Sequence, residues 1–142
     1  LAPQFYPVPA LALGQWLAQR GFASAAMDVS DGLSSDLHRL CKASGVGARI
    51  YAEKLPRVAV PEKLRALGLD AVAMALHGGE DYGLLFTVPQ RLVARIPKNF
   101  RGTALTRIGE IAPGRGMALI GANGKNSALK PLGWDHFRKQ SR

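Results

Sequence analysis

Two short acidic segments that contain glycine carry the residues best suited to chemistry. They are residues 27–33, MDVSDGL, and residues 77–82, HGGEDY, and together they hold four of the ten side-chain carboxylates in a protein of net charge +9. Carboxylates beside glycines, where backbone approaches a ligand closely, suit divalent cations. Mg²⁺ in particular is commonly held by one or two carboxylates plus substrate phosphates. The two segments therefore predict a metal-assisted phosphate site.

The elements around the first segment predict where it lies. The small-residue run Ala23–Val29 is typical of a buried strand, and the apolar positions that follow have helical spacing, at Leu33, Leu37, Leu40 and Cys41. Ser30 or Asp31 is available as helix N-cap, and Gly45 as terminator. The acidic segment thus sits at a strand-to-helix junction, where free backbone N–H groups and the helix dipole favour phosphate.

Simpler explanations exist for each motif. Helix capping accounts for any one of Asp28, Ser30 and Asp31, but not for all three. An unpaired Asp28 beside an apolar strand would be costly, and a metal shared with Asp31 would remove that cost.

The second segment and the chain end leave two interpretations open. The glycines before Glu80 can aim its carboxylate into a cleft, although acids that merely face water explain the loop equally simply. Trp134 suits either a clasp that packs the tail or a stacking surface for a flat heteroaromatic ring.

Composition bounds the class of protein. With 142 residues and 47% hydrophobic content the chain suits one globular domain. Residues 1–81 contain eight basic and eight acidic side chains, whereas residues 82–142 contain eleven and two. This asymmetry fits a surface for RNA or an acidic partner, or attraction for a small polyanion. The basic residues are scattered and form no dense run, so ordinary solvated side chains are the preferred explanation and no nucleic-acid partner is expected.

The cellular compartment is predicted from three features that the sequence does not show: a disulfide framework, a membrane-spanning stretch and a leader pattern. Cys41 is a lone cysteine at an apolar helical position, which predicts a core residue and no disulfide framework. No apolar stretch approaches the length of a membrane span, and no leader pattern opens the chain, so we expect a cytoplasmic protein without a membrane partner.

The remaining pattern predicts an α+β domain with a mixed β-sheet flanked by helices. Residues 1–9 contain three prolines and are expected to be an extended entry segment or a linker from a preceding, missing domain, with the folded domain spanning 10–142. Helices are predicted at 10–20, 61–67, 70–76 and 89–96, strands at 46–52, 82–88, 103–111 and 117–120, and an edge-hairpin turn at 122–125.

Taken together, the motifs and their order resemble the carboxyl-terminal domain of thiamine-monophosphate kinase, of the aminoimidazole ribonucleotide synthetase-like superfamily. The resemblance covers most of the chain, in the segments DVSDGL at 28–33, ASGVGA at 43–48, GGEDY at 78–82, IGEI at 108–111 and GWDHF at 133–137. Related superfamily members usually carry other residues in place of DVSDGL, which favours the thiamine branch.

The resemblance implies transfer of the γ-phosphoryl group of ATP to thiamine monophosphate, without a covalent phospho-enzyme and so without a catalytic nucleophile. By position, Asp28 and Asp31 are implied to be Mg²⁺ ligands and Ser30 an ATP contact. Glu80 and Trp134 are implied to bind the thiamine substrate, whose positive thiazolium suits an acid and an aromatic face.

The resemblance also implies partners outside this sequence. An amino-terminal domain of the same chain would supply further ligands and a homodimer contact, so the isolated fragment is expected to be inactive. Two alternatives stay open: another ATP-dependent enzyme of the superfamily, or a non-catalytic domain that binds RNA or an acidic protein through residues 82–142.

Overall fold

The structure of the protein is a computed structural model that describes residues 10–56, 70–79 and 83–133, with the single residues 63, 66 and 68. Four predictions lie outside the described residues: the segment 1–9, most of the helix at 61–67, and the side chains of Glu80 and Trp134.

In the part of the chain that the structure describes, three α-helices have bounds, and they form where the apolar periodicity predicts them. They are α1 (Leu11–Gln19), α2 (Leu33–Ser44) and α3 (Ala71–His77). As predicted, α2 ends at Gly45 in the left-handed conformation, at φ 67°. Helix α3 begins at Asp70, whose carboxylate accepts the Val72 N–H at 3.0 Å.

The described residues also contain eight strands: β1 (Ala25–Val29), β2 (Gly47–Tyr51), β3 (Gly83–Thr87), β4 (Asn99–Phe100), β5 (Thr103–Ala104), β6 (Gly109–Ala112), β7 (Gly116–Ile120) and β8 (Asn126–Ala128). The main sheet has the order β6-β2-β7-β8, with β2 and β7 parallel and the other pairs antiparallel. Strands β1 and β3 form a separate antiparallel pair, and β4 and β5 a short hairpin. The α+β class and the mixed sheet are confirmed.

Two local predictions are wrong in detail. The strand predicted at 103–111 is split, because β5 pairs with β4 whereas β6 pairs with β2, so the chain leaves one sheet at Leu105 to reach another. Alternation of side chains does not encode that change of sheet. The helix predicted at 89–96 is a 3₁₀ helix, Gln90–Arg95. The edge hairpin at 122–125 is confirmed between β7 and β8.

The β1–β3 pair lies between two apolar clusters. Met27 and Leu85 pack against the larger cluster with Leu37 of α2, whereas Leu84 and Phe86 pack against a smaller cluster around α1. Because side chains alternate across a strand, Asp28 lies on the α1 face opposite Met27. The strand pair therefore contacts both apolar clusters.

Two further predictions concern the larger cluster and the membrane. Cys41 is buried in that cluster, as predicted, and burial raises the pKa of its thiol. Within the described part of the chain, no helix has the length and apolar character needed to cross a bilayer.

Candidate active site

Asp28 occupies the penultimate position of β1, opposite Leu84 of β3, and its side chain is exposed. The premise that this carboxylate is buried against an apolar strand is therefore wrong. No burial cost requires a metal at Asp28, and the case for a ligand role depends instead on what lies beside it.

The loop after β1 is held by a buried carboxylate that the sequence reasoning did not single out. Asp36, in the first turn of α2, has 0% exposure, and its Oδ2 accepts the backbone N–H groups of Ser30 at 3.0 Å and Asp31 at 3.1 Å. The N-cap position of α2 is Gly32, so the prediction that Ser30 or Asp31 caps this helix is wrong. Their side chains are left available for other contacts.

Gly32 is required by the geometry of this junction. Its φ of +103° lies in a region that residues with a side chain rarely adopt. A Cβ at this position would also meet the carbonyl oxygens of His77 and Gly78 at 3.0 Å. The acidic loop thus turns into α2 directly against the end of α3.

Arg39 links the two aspartates of the loop. Its Nη1 lies 2.5 Å from Asp36 Oδ1, and its Nη2 lies 2.6 Å from Asp31 Oδ2. The hydrogen bond to Asp31, with support from Asp36, raises the pKa of Arg39. Asp31 keeps 20% side-chain exposure and Arg39 52%, so solvent reaches this pair.

The second acidic segment, residues 77–82, contacts the loop that follows β1 through Gly79. A Cβ on Gly79 would lie 3.0 Å from the carbonyl oxygen of Ser30. The backbone just before Glu80 therefore packs on the loop between Asp28 and Asp31. Although the Glu80 side chain lies outside the described residues, its neighbour in the chain is placed at the predicted site.

The carboxyl-terminal segment is the third to converge. The Gly133 N–H donates to Ser35 Oγ at 3.0 Å, and a Cβ on Gly133 would collide with the Asp31 carbonyl oxygen. Only a glycine lets the chain pass this close to the loop. Trp134, the next residue, is outside the described part of the chain.

His77, the last residue of α3, contacts the first turn of α2. Its Nδ1 lies 2.8 Å from Oγ of Ser34, which is fully buried in the first turn of α2. Burial lowers the pKa of His77, which favours the neutral imidazole. His38, by contrast, is exposed.

The structure thus brings together the segments that sequence reasoning assigned to one site. It also adds three residues that sequence reasoning missed: Ser34, Asp36 and Arg39. The signal for two of them was present, because Asp36 and Arg39 are spaced i, i+3 just after the acidic motif.

The oxygen donors at this junction suit Mg²⁺. Asp28, Ser30 and Asp31 offer two carboxylates and a hydroxyl, all hard ligands, beside a helix N-terminus that favours phosphate. Among residues 10–56, 70–79 and 83–133, no group of three or more potential His, Cys, Asp or Glu ligands clusters to hold a metal. A cation here would need phosphate, water or residues elsewhere to complete its coordination.

Comparison with known proteins defines the class. Residues 5–122 match the family model for AIR synthase related protein, C-terminal domain. The match covers well over half of the chain, and the protein belongs to this family.

Within that class, the chain is similar to thiamine-monophosphate kinases. It is 39% identical over 140 residues to the enzyme of Escherichia coli O157:H7 and 34% identical over 117 residues to that of Pyrococcus horikoshii. These alignments cover 92% and 82% of this chain but 40% and 35% of those relatives. The chain therefore spans well under half the length of the curated relatives it matches.

A solved structure gives the same result in three dimensions. The structure described as "AaThiL complexed with AMPPCP and TMP" superposes with a TM-score of 0.71 at 32% identity, covering 96% of this chain and 40% of that one. The resemblance inferred from the motifs is confirmed.

Proposed function

We propose that this chain forms the part of a thiamine-monophosphate kinase that carries one wall of the active site. The complete protein transfers the γ-phosphoryl group of ATP to the phosphate of thiamine monophosphate and releases thiamine diphosphate and ADP. The similarity to kinases of that name, and to a structure holding an ATP analogue and TMP, supports this reaction.

One observation carries the proposal: three segments far apart in sequence meet on one loop. The backbone of Gly79 and of Gly133 packs against the carbonyls of Ser30 and Asp31. Four predicted site residues, Asp28, Asp31, Glu80 and Trp134, therefore belong to segments that converge. A loop whose acids merely faced water would not need glycine at each close approach.

In this proposal Asp28 and Asp31 hold Mg²⁺ and Ser30 contacts ATP. The cation would neutralise the phosphate groups that must meet in line, which is the principal requirement of phosphoryl transfer. Asp36 fixes the backbone of Ser30 and Asp31, so the ligands are held in place before substrate arrives. No side chain needs to act as a nucleophile.

Glu80 and Trp134 are assigned to the thiamine moiety. A carboxylate and an indole face both stabilise a positive thiazolium ring. The remaining nucleotide and metal ligands, and a homodimer contact, are assigned to an amino-terminal domain of the complete protein, which we place in the cytoplasm.

The direct test is ³¹P NMR of the complete protein with ATP, Mg²⁺ and thiamine monophosphate. We expect a thiamine diphosphate signal that Asp31→Asn removes and that Glu110→Gln, a change at an exposed carboxylate of β6, leaves unchanged. Equal activity in Asp31→Asn and the wild type would refute the assignment.

Two alternatives have distinct outcomes. Another enzyme of the superfamily would consume ATP with a different acceptor and leave thiamine monophosphate unchanged. An RNA-binding domain would bind RNA with an affinity that falls steeply as salt rises and that Asp31→Asn does not alter. Thermal protection by Mg²⁺ with thiamine diphosphate, lost in Asp31→Asn, would exclude the second alternative.

A further inference from the structure

The first turn of α2 carries two hydroxyls that the proposed chemistry does not use. Oγ of Ser34, a residue with 0% exposure, lies 2.8 Å from His77 Nδ1 and accepts the Leu132 N–H at 3.3 Å. Oγ of Ser35 accepts the Gly133 N–H at 3.0 Å. One helical turn therefore bonds to segments 43 and 98 residues further along the chain.

The Ser34 hydroxyl has enough hydrogen-bonding capacity for both of its partners. A hydroxyl has one proton to donate and two lone pairs that accept. Because Oγ accepts the Leu132 N–H, its own proton is free to point at His77 Nδ1. Burial favours the neutral imidazole. If Nδ1 is its unprotonated nitrogen, Oγ donates to it, and if Nδ1 carries the proton, the second lone pair of Oγ accepts that proton. In either tautomer the buried hydroxyl bonds to both segments.

Each bonded segment leads directly to a predicted substrate residue. His77 is followed by Gly78 and Gly79 and then by Glu80, and Gly133 is followed by Trp134. Ser34 itself lies three residues after Asp31. The two hydroxyls therefore connect the loop of the proposed metal ligands to both segments of the proposed thiamine side.

We propose that Ser34, supported by Ser35, is a positioning residue that fixes the segments carrying Glu80 and Trp134 against the acidic loop. It thereby sets the affinity for the thiamine substrate without contacting the reacting atoms. The kinetic consequence depends on the proposed function, whereas the structural consequence does not.

The experiment compares Ser34→Ala with Ser24→Ala in the complete protein. Ser24 is a matched control, because its Oγ also makes a long-range bond, to Thr87 Oγ1 at 2.8 Å, but at the opposite end of the β1–β3 pair. For Ser34→Ala we expect the KM for thiamine monophosphate to rise about tenfold while the KM for ATP stays within about twofold. Amide hydrogen exchange across residues 129–133 should be faster than in the wild type, and Ser24→Ala should show neither change.

Substitutions of His77 provide a conservative rescue. His77→Ala removes the imidazole partner of Ser34 and should reproduce the rise in the KM for thiamine monophosphate, whereas exchange across residues 129–133 should stay as in the wild type because the bond from Leu132 to Ser34 is retained. In His77→Asn the side-chain amide lies close to the position of Nδ1 and can either donate or accept, so the KM should return toward the wild-type value. A role limited to packing would not distinguish these two variants.

Two results would overturn the proposal: unchanged exchange across residues 129–133 in Ser34→Ala, or equal increases in the KM for both substrates. If the wild-type protein does not phosphorylate thiamine monophosphate, the proposed function fails, and the exchange comparison still decides the positioning role. If Ser34→Ala does not fold, Ser35→Ala replaces it, because it removes the acceptor of the Gly133 N–H, and unchanged exchange across residues 129–133 in that variant refutes the proposal.

Discussion

Two clusters of arginine and carboxylate contain the same chemical groups but differ in what surrounds them. At the acidic loop, Asp36 is buried at 0% exposure and binds two backbone N–H groups as well as Arg39. On the main sheet, Glu110 is 37% exposed and lies 3.4 Å from Arg49 and 3.8 Å from Arg107. The first cluster fixes a loop, whereas the second joins side chains that water also solvates.

The difference shows that burial and backbone partners give a charge its structural value. A buried carboxylate that is removed leaves its donors without partners, which costs far more than the loss of an exposed ion pair. The loop of Asp28, Ser30 and Asp31 is therefore held by Asp36, a residue outside the motif itself.

Asp36→Ala tests the buried cluster most severely. The change leaves the N–H groups of Ser30 and Asp31 without their acceptor, and we expect a loss of about 3 kcal/mol in the free energy of unfolding. Urea denaturation measures it. A loss no larger than that of Glu110→Ala would contradict the distinction between the clusters.

Gly32→Ala tests how tightly the loop packs on α3. The positive φ and the contact with the carbonyls of His77 and Gly78 should together cost about 2 kcal/mol. Gly124→Ala is the control, because Gly124 has φ +75° in open space, and about 1 kcal/mol is expected there. Equal losses in thermal or urea unfolding would show that the close approach adds nothing.

Arg39→Gln tests whether the buried cluster competes with a cation. Nη2 of Arg39 forms an ion pair with Oδ2 of Asp31. A divalent ion that binds Asp31 must compete with this solvent-accessible ion pair, which stabilises the protein by up to about 1 kcal/mol. We expect Mn²⁺ to bind the complete protein about fivefold more tightly in Arg39→Gln, as measured by electron paramagnetic resonance. Weaker binding would mean that Arg39 orients Asp31 for the metal.

The pH dependence of stability tests His77, at the border of the buried cluster. Because burial lowers its pKa, the unfolded chain binds this proton more readily than the folded chain. Its contribution to stability is therefore complete above about pH 6.5 and is lost as the pH falls through that value toward the folded pKa. Urea unfolding at several pH values should show this loss, which His77→Asn abolishes and His38→Asn, at an exposed site, retains.

Glu110→Ala should have the smallest effect, because solvent already screens the ion pairs to Arg49 and Arg107. We expect a change in the free energy of unfolding of at most about 0.5 kcal/mol, shrinking further at high salt. A loss above about 1 kcal/mol, twice the expectation for an exposed pair, would place this cluster with the buried one.

Local features of the site were readable from the sequence, because they depend on residues close together in the chain. The apolar spacing of α2, its end at Gly45 and the turn at 122–125 each follow from short-range rules, and all three are confirmed. The acidic motif was likewise placed at a strand-to-helix junction by the elements on either side of it.

The amino-acid sequence was thus enough to identify the elements and to place Asp28, Ser30 and Asp31 between two of them. The folded chain was needed to show that Gly79 and Gly133 pack on that loop, that Asp36 holds it and that Arg39 pairs with Asp31. Propensity acts over a few neighbouring residues, whereas these contacts require the path of the whole chain, which packing of the two cores selects.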